Sequence, residues 1–353
     1  MKEDYTQEFK SYLKNLLEEN EKKIKIIMHD VPDPDAMGSA VGMAMIMHLF
    51  GINSEIYHRS EISHPQNKTL INVLNLTFKK LTDDEKISGP LIVVDGTENN
   101  SAALIEIKNN DFVIDHHKSN TKAQYNIIDP SYGSCSTMVW QLFHEAKDFD
   151  FRKKDINYSE YTNTLTAMLL GIRTDTNDLT SENMIKDDFV AYQELLELVD
   201  KEALQKVMNY PFPKYLYDRR IDLHKDGNYA ESTGVFVVGI GFISNSHRDV
   251  IAVLAEEYAR MESVNTSIIF AIVGGNTLQV SVRSSNISLD VGALCKELFG
   301  EYGGGKSYKG GASIPLNFYS GLENGEKEKF WNVTCKHMFK KILKEGFEDT
   351  SKE

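Results

Sequence analysis

The sequence contains little cysteine and little proline, and both shortages limit the class of protein. Its 353 residues include three cysteines, Cys135, Cys295 and Cys335, which lie far apart and form no Cys-x-x-Cys pair. This spacing argues against a disulfide framework and against a cysteine zinc site. Only 8 prolines accompany 41% hydrophobic and 26% charged residues, a composition typical of a folded globular chain.

Basic residues are also in the minority. There are 39 Lys and Arg residues against 52 Asp and Glu residues, which gives a net charge of −13 at pH 7. Affinity for long duplex nucleic acid comes mainly from neutralising many phosphates, so this charge argues against such a partner. It does not argue against a small phosphorylated substrate.

The apolar runs of the sequence are short. Residues 235–243 form one of the longest, far too short for a membrane span, and the N-terminus MKEDYTQEFK lacks the apolar core of a signal peptide. We therefore expect a cytoplasmic protein that has no membrane partner.

Strand and helix patterns alternate along the first half of the chain. Apolar runs at residues 25–28, 91–94 and 111–114 are each followed by Asp or His, and helical periodicity covers stretches between and after them, at residues 39–50, 134–144 and 158–170. This order predicts an α/β domain with a mainly parallel sheet flanked by helices. Ligands bind beyond the carboxyl ends of the strands in such sheets.

The chain is long enough for two domains. Pro211 and Pro213 interrupt the helical pattern, so we predict a first domain at residues 1–207, a linker at 208–213 and a smaller α/β domain with a mixed sheet at 214–353. Apolar residues at helical spacing in residues 4–23 predict an amphipathic helix. This helix packs either on its own domain or on the partner subunit of a homodimer.

The densest polar cluster follows the first predicted strand. His29, Asp33 and Asp35 share one short loop with two prolines, and imidazole with carboxylates suits Mn²⁺ or Mg²⁺. The alternative is an ordinary strand-to-helix turn capped by an Asp, although Ser39 could supply that cap. Gly38 would allow the helix start to approach a bound phosphate.

Three further clusters contain candidate ligands. Asp95 follows the second apolar run, Asp115, His116 and His117 follow the third, and Asp175 lies in a predicted Gly/Thr-rich loop after a helix. Each Asp alone is most often a turn or cap residue. Adjacent side chains of an extended segment point to opposite sides, so we expect only one of the two histidines to face a metal.

Together the clusters indicate a two-metal site. Two ions about 3.5–4 Å apart need six or seven ligand groups, with carboxylates shared between them. The sequence supplies six groups of the right kind: His29, Asp33, Asp35, Asp95, His116 and Asp175.

These motifs resemble those of the DHH phosphoesterase family. HDVPDPDAMGS, VVDGT, DHH and GIRTDT are similar to the family's four motifs and occur in the same order, while VSVRSS and GGGKSYKGGAS are similar to motifs of its DHH-associated substrate domain. The resemblance extends from about residue 23 to residue 315. It implies a bimetallic phosphoesterase that uses two Mn²⁺ ions, with Mg²⁺ as the alternative.

The resemblance also implies roles for individual residues. Asp95 would bridge the two ions, Asp115 would orient a histidine, and His117 would face the phosphate. One ion would be held by His29, Asp33 and Asp95, with Asp175 as an optional ligand, and the other by Asp35, Asp95, His116 and Asp175.

The predicted substrate-binding residues lie in the second domain and comprise Arg283, Ser284, Gly303, Gly304, Gly305 and Lys306. The family has a histidine where this chain has Lys306. This departure leaves the metal ligands unchanged but leaves open which short substrate is preferred. The alternative for Lys306 is an ordinary surface lysine.

The implied reaction is attack on phosphorus by a metal-activated hydroxide. The implied substrates are short RNA or DNA oligonucleotides, as in a nanoRNase, or a small nucleotide such as 3′-phosphoadenosine 5′-phosphate. The nearest alternative is a phosphodiesterase for cyclic or linear dinucleotide messengers. A pyrophosphatase or exopolyphosphatase is less favoured because the stretches around Arg283 and Lys306 are only modestly basic, and a non-catalytic sensor would be expected to lack a ligand.

Overall fold

The computed structural model describes residues 3–82, 87, 89–97, 107–147, 156–223, 229–232, 234–317 and 321–347. The chain divides into two compact units. The first comprises Met1–Ile62 and Gln66–Pro211, and the second comprises Ser63–Pro65 and Phe212–Glu353.

The first unit alternates strands and helices before it ends in helices. Its elements are α1 (Glu3–Glu18), β1 (Lys23–Met28), α2 (Pro34–Leu49), β2 (Asn53–His58), α3 (Pro65–Val73), β3 (Lys79–Lys80), β4 (Leu91–Val94), β5 (Phe112–Asp115), β6 (Tyr125–Ile128), α4 (Cys135–Lys147), α5 (Tyr158–Asp175), α6 (Lys186–Leu198) and α7 (Lys201–Met208).

All six strands of the first unit form one parallel sheet in the order β3-β2-β1-β4-β5-β6. Every residue of β4 and β5 is buried, as expected for parallel strands covered on both faces. The predicted parallel sheet flanked by helices is therefore confirmed. Because β1, β4 and β5 are neighbours, their carboxyl ends lie side by side, and the segments that follow them contain His29, Asp95 and His116.

The start of α2 lies earlier than the hydrophobic pattern predicts. Asp33 Oδ1 accepts hydrogen bonds from the backbone N–H groups of Asp35, at 3.0 Å, and Ala36, at 3.1 Å, so Asp33 is the N-cap. The expectation that Ser39 caps this helix is wrong. Ser39 lies inside α2, fully buried, with its hydroxyl 3.3 Å from the Ser136 hydroxyl.

Gly38 serves the packing of α2 against α5. A Cβ at this position would lie 2.7 Å from the carbonyl oxygen of Ala167 and 2.9 Å from Met168 Cα, both in the backbone of α5. The expectation that Gly38 makes room for a phosphate is wrong, because the α5 backbone already occupies that space.

Helix α1 packs on its own unit. Phe9, Tyr12, Leu13 and Leu16 are almost completely buried, and the Tyr12 hydroxyl donates to the carbonyl oxygen of Leu91 at 3.2 Å. Burial of such side chains stabilises a fold by roughly 1.5–3 kcal/mol each. Of the two sequence-based alternatives for α1, the structure shows packing within the unit.

The second unit contains the predicted mixed sheet. Its strands follow the order β11-β12-β10-β9-β8-β7; β8 and β9 pair in parallel, and the other pairs are antiparallel. Its elements are α8 (Lys214–Leu223), β7 (Tyr229–Ser232), β8 (Val235–Ile243), α9 (Val250–Tyr258), β9 (Thr266–Val273), β10 (Thr277–Ser284), α10 (Val291–Phe299), β11 (Gly303–Gly305), β12 (Lys309–Pro315) and α11 (Asn324–Lys340).

Among the helices of the described residues, none combines the length and the apolar character needed to span a bilayer.

We predict that Gly38→Ala destabilises the protein, because its methyl group would press on the backbone of α5. Overpacking of this kind costs about 1–3 kcal/mol, which urea denaturation followed by circular dichroism would detect. Gly325→Ala is the matched control, since a Cβ at that helical position meets nothing within 4 Å. A Gly38→Ala protein as stable as the parent would contradict the packing role.

Candidate metal centre

His29 lies immediately after β1 and turns its ring towards the residue that follows β4. Its Nε2 atom is 3.5 Å from Asp95 Oδ2 and 3.9 Å from Asp33 Oδ1. Asp33 therefore caps α2 and also lies beside His29. The cap interpretation of the first sequence cluster is correct for this residue, and its role as a metal ligand stays a prediction.

Asp95 occupies the middle of the cluster. Its carboxylate is almost completely buried, with Oδ2 near His29, and with Oδ1 3.4 Å from His116 Nε2 and 3.6 Å from His117 Nδ1. The backbone of Asp95 is left-handed, with φ of 55°, a conformation that Asp and Asn tolerate better than most residues. This turn places the carboxylate between the ends of β1 and β5.

The two histidines after β5 lie on the same side of the chain. Their ring centroids are 4.3 Å apart, and both rings approach Asp95. The expectation that the two side chains point to opposite sides is wrong, because β5 ends at Asp115 and residues 116–118 form a bend instead of an extended segment. That only one of the two histidines binds a metal stays a prediction.

The two rings are held differently. His116 is buried, and its Nδ1 lies 3.1 Å from the carbonyl oxygen of Tyr132. A carbonyl can only accept, so this nitrogen carries the proton and Nε2 is directed at the carboxylates. His117 Nδ1 instead lies 2.8 Å from Asp115 Oδ1, which leaves its Nε2 edge towards the half-exposed side.

Asp115 makes a compact hydrogen-bonded turn after β5. It is fully buried and accepts from the backbone N–H and Nδ1 of His117 and from the Ser119 hydroxyl. Burial acts to raise the pKa of Asp115, but the bonds from His117 and Ser119 lower it overall. Asp115 thus lies next to His117, in the orienting position that the sequence predicts.

Asp35 and Asp175 approach from two helices. Both oxygens of Asp35 accept backbone N–H groups at the start of α4, from Cys135 at 2.7 Å and Ser136 at 2.8 Å. Asp175 Oδ2 is 3.2 Å and Asp35 Oδ2 is 3.8 Å from His116 Nε2.

The helix α5 extends through Asp175, so the expected loop around this residue is wrong. Gly171 does not end the helix. A Cβ there would lie 2.9 Å from Asp35 Cα and would overlap the Ser136 hydroxyl, so the glycine permits close packing of α5 on α2 and α4.

The arrangement fits a divalent cation. Asp95 Oδ1 and His116 Nε2 are buried and have no hydrogen-bond partner in suitable geometry among the described residues. Carboxylate and imidazole donors without a thiolate suit Mn²⁺ or Mg²⁺. Three overlapping triads bring their ligand atoms within 4.8 Å of one another: Asp95, His116 and His117; His29, Asp33 and Asp95; and Asp35, His116 and Asp175.

The structure thus brings all six predicted ligands together. Because Asp95 belongs to two triads, it occupies the position expected of a bridging ligand. His117 also falls in a triad, but its Nδ1 is engaged with Asp115.

Arg283 and Ser284, at the end of β10, are held by neighbours in the second unit. Arg283 Nη1 donates to the Ser281 hydroxyl at 3.0 Å, and Nε lies 3.3 Å from Glu256 Oε1. The Ser284 hydroxyl contacts the Thr266 hydroxyl and donates to the carbonyl oxygen of Asn265.

The three glycines from Gly303 to Gly305 form the short strand β11, which is paired with β12. Gly303 packs directly on the Cys295 carbonyl, and Gly305 packs on the Lys309 carbonyl with φ of 154°. Gly304 differs, because a Cβ there would meet nothing within 4 Å. Close packing therefore explains why residues 303 and 305 are glycines, whereas the space beside Gly304 is open to a ligand.

Lys306 follows β11, and its backbone is hydrogen-bonded to the start of α10. Its N–H donates to the Lys309 carbonyl at 2.7 Å, and its carbonyl accepts from Gly292 N–H at 3.0 Å. The neighbouring Ser307 carbonyl accepts from Val291 N–H. These backbone bonds use amides in the first turn of α10, so Lys306 contributes to the fold as well as to any recognition of substrate.

The sequence motifs did not identify the groups that are hydrogen-bonded to the candidate ligands. The Tyr132 carbonyl and the Cys135 and Ser136 N–H groups belong to the backbone, so no side-chain pattern identifies them. Asp188, which contacts the same segment, follows no motif. The available signal was Gly133, immediately before the helix predicted at residues 134–144.

Comparison with known proteins identifies the domains. The model of the DHH family, N-terminal domain, matches residues 23–172, and that of the DHHA1 domain matches residues 233–329. A solved structure of an exopolyphosphatase-related protein from Bacteroides fragilis covers 97% of this chain and 98% of its own, with a TM-score of 0.60 and 14% identity. That likeness shows a shared fold.

Several relatives match this chain by sequence, and two of them cover more than half of it. An uncharacterized protein of Methanocaldococcus jannaschii is 29% identical over 88% of this chain and 61% of its own length. A probable manganese-dependent inorganic pyrophosphatase of Lactobacillus helveticus is 27% identical over 53% of this chain and 55% of its own. The chain thus spans between about half and three-fifths of the length of these two relatives.

The charges of the cluster predict a pH-dependent metal affinity. Burial acts to lower the pKa of His116, but the carboxylates of Asp175, Asp95 and Asp35 raise it to about 10. The pKa of His29 is likewise raised well above 6.5 by Asp33 and Asp95, against the effect of burial. These protons stabilise the metal-free fold fully below pH 6.5, and this contribution is lost as pH rises towards 10.

A cation must displace the same protons, so we predict that the increase in Tm caused by Mn²⁺ becomes larger as pH rises above 6.5. Differential scanning calorimetry with and without Mn²⁺ measures this increase. The control is Asp95→Asn, which keeps the left-handed turn but removes the shared charge and should greatly reduce the increase. An increase that is independent of pH, or equal in Asp95→Asn, would contradict the prediction.

Proposed function

Because the chain belongs to the DHH family, we propose that it is a metal-dependent hydrolase of phosphoester bonds in short oligonucleotides or small nucleotides. The observation that carries this proposal is the set of overlapping triads that share Asp95 and His116 at the carboxyl edge of the first sheet. Short RNA is the leading substrate, and 3′-phosphoadenosine 5′-phosphate is a further one.

The triads suggest how the chain would hold two Mn²⁺ ions, with Mg²⁺ as the alternative. His29, Asp33 and Asp95 would hold one ion, and Asp35, His116 and Asp175 the other. Asp95 would be shared between them, because its Oδ1 lies 3.4 Å from His116 Nε2. When bound, such ions lower the pKa of a coordinated water and neutralise charge on phosphate oxygens.

His117 is the group proposed to face the phosphate. Because Asp115 accepts from Nδ1, the opposite nitrogen, Nε2, is left to exchange a proton with the substrate, and as an imidazolium the ring would donate from Nε2 to a phosphate oxygen. Asp115 would fix this orientation through its second bond, to the His117 backbone N–H, and through Ser119.

Residues of the second unit are also proposed to bind substrate. Arg283 carries a planar guanidinium suited to a phosphate, held by Ser281 and Glu256. The open space beside Gly304 permits close approach of a ligand to the backbone of β11. Ser284, Gly303, Gly305 and Lys306 would support this surface.

The net charge of −13 supports short substrates over long ones. A long strand would place many phosphates along an acidic surface, whereas a short one exposes only a few to that repulsion.

Pyrophosphate is a second candidate substrate, favoured by the similarity to the Lactobacillus helveticus protein over 53% of this chain. The mild basicity around Arg283 and Lys306 argues against it, because a highly charged substrate needs more cations around it than a nucleotide does. Phosphodiester messengers with two nucleotides, cyclic or linear, are compatible with the same metal centre.

A substrate panel with Mn²⁺ tests the proposal. We predict that the protein releases mononucleotides from RNA between a dinucleotide and a pentanucleotide in length, and that Asp95→Asn lowers the rate by at least about a hundredfold, because the shared ligand is lost. The panel also contains cyclic dinucleotides, 3′-phosphoadenosine 5′-phosphate and pyrophosphate, and chromatography measures the products.

The panel separates the candidates. Cleavage of pyrophosphate alone would replace the nucleotide proposal with the second candidate. A metal-loaded protein that leaves every substrate intact would disprove hydrolysis of this class.

A further inference from the structure

The residues just before α4, together with its first residues, contact two of the candidate ligands. We call residues 132–137 the 132–137 turn. Its Tyr132 carbonyl accepts from His116 Nδ1 at 3.1 Å, and its Cys135 and Ser136 N–H groups donate to the two oxygens of Asp35. The orientation of both ligands therefore depends on where this backbone lies.

Asp188 of α6 binds the same turn from the other side. It is fully buried, and its Oδ2 accepts from Gly133 N–H at 3.0 Å, while its Oδ1 accepts from the Thr137 hydroxyl at 2.6 Å. Oδ2 also accepts from Ile185 N–H at 2.9 Å. Three donors thus converge on one buried carboxylate, which satisfies them without water.

The contact between Asp188 and the turn is tight. A Cβ at Gly133 would lie 2.6 Å from Asp188 Oδ2 and 2.9 Å from Thr176 Cγ2, and Thr176 directly follows Asp175. There is no room for the turn to approach α6 further. If the carboxylate were removed, Gly133 N–H would be left buried without its acceptor, and the turn would be free to shift.

A simpler role for Asp188 would be to cap α6. Its bond to Ile185 N–H is a capping interaction in the first turn of this helix. That role explains one of the three bonds. The other two bonds connect Asp188 to Gly133 and Thr137, which lie outside α6. Gly133 follows Tyr132, which contacts His116, and Thr137 follows Ser136, which contacts Asp35.

We propose that Asp188 is a positioning residue for the metal centre, which holds the 132–137 turn so that His116 and Asp35 are oriented for a cation. This inference rests on the proposed function, because it assumes that the triads bind metal. Groups that orient metal ligands typically change metal affinity by about tenfold to a hundredfold when they are removed.

The effect should be selective. His116 and Asp35 belong to the triad with Asp175, whereas none of the groups in the triad of His29, Asp33 and Asp95 is hydrogen-bonded to the turn among the described residues. Loss of Asp188 should therefore weaken one of the two Mn²⁺ ions and leave the other nearly unchanged. A general loss of stability would weaken both.

The test compares Asp188→Ala with Asp188→Asn. In the Asn variant, the carbonyl oxygen can accept from Gly133 and Ile185, while the amide donates to Thr137, whose hydroxyl turns towards Ser134, 2.9 Å away. We expect Asp188→Ala to lower the affinity of one ion by at least about tenfold and Asp188→Asn to retain it within about threefold.

Electron paramagnetic resonance titration of the full-length protein with Mn²⁺ measures both affinities, and calorimetry measures Tm. The matched control is Glu194→Gln, which changes a contact of the same helix with Trp140 on α4 but lies away from the turn. If Asp188→Ala does not fold, Thr137→Val removes one of the bonds to Asp188 and should lower the same affinity.

Unchanged affinities in Asp188→Ala, or in Thr137→Val if Asp188→Ala does not fold, would overturn the positioning role while leaving the proposed function intact. An equal loss at both ions would also overturn it, because that pattern indicates a purely structural effect. Failure of the parent protein to bind Mn²⁺ would overturn the proposed function and this inference together.

Discussion

Mutual repulsion among buried carboxylates is the constraint on which the first unit depends. Asp35, Asp95 and Asp175 are at most 7% exposed and share a small volume with His116. A buried charge without a partner costs several kcal/mol, so this group needs either protons or cations. Burial acts to lower the pKa of His116, but the surrounding carboxylates, Asp175 first among them, raise it to about 10, which favours the protonated ring beside them.

The fold brings this cluster together from two kinds of element. The parallel strands β1, β4 and β5 end side by side, which places His29, Asp95 and His116 at one edge of the sheet. Asp35 and Asp175 come instead from α2 and α5, which approach closely because Gly38 and Gly171 have no side chains. The backbone N–H groups at the start of α4 carry partial positive charge, which stabilises the Asp35 carboxylate.

Much of this could be predicted from the sequence. The parallel sheet follows from alternating strand and helix patterns, and the family resemblance suggested by four motifs is confirmed by the matches to both domains. All six predicted ligands lie in one cluster. Residue types that bind divalent cations are visible in a sequence, and three of the six, His29, Asp95 and His116, also follow strand ends.

What could not be predicted concerns packing and backbone direction. Gly38, Gly171 and Gly303 look like flexible or ligand-facing glycines in the sequence, but their function is to let two pieces of backbone touch. The direction of His116 and His117 depends on the residue at which β5 ends. The contacts of Tyr132, Cys135 and Ser136 use backbone atoms, which leave no signature in a motif.

Anomalous diffraction at the manganese edge, from crystals of the protein grown with Mn²⁺, would locate the bound ions. We expect two peaks that share Asp95, one beside His29 and Asp33 and the other beside Asp35, His116 and Asp175. Manganese bound elsewhere, or no peak within coordination distance of Asp95, would contradict this expectation.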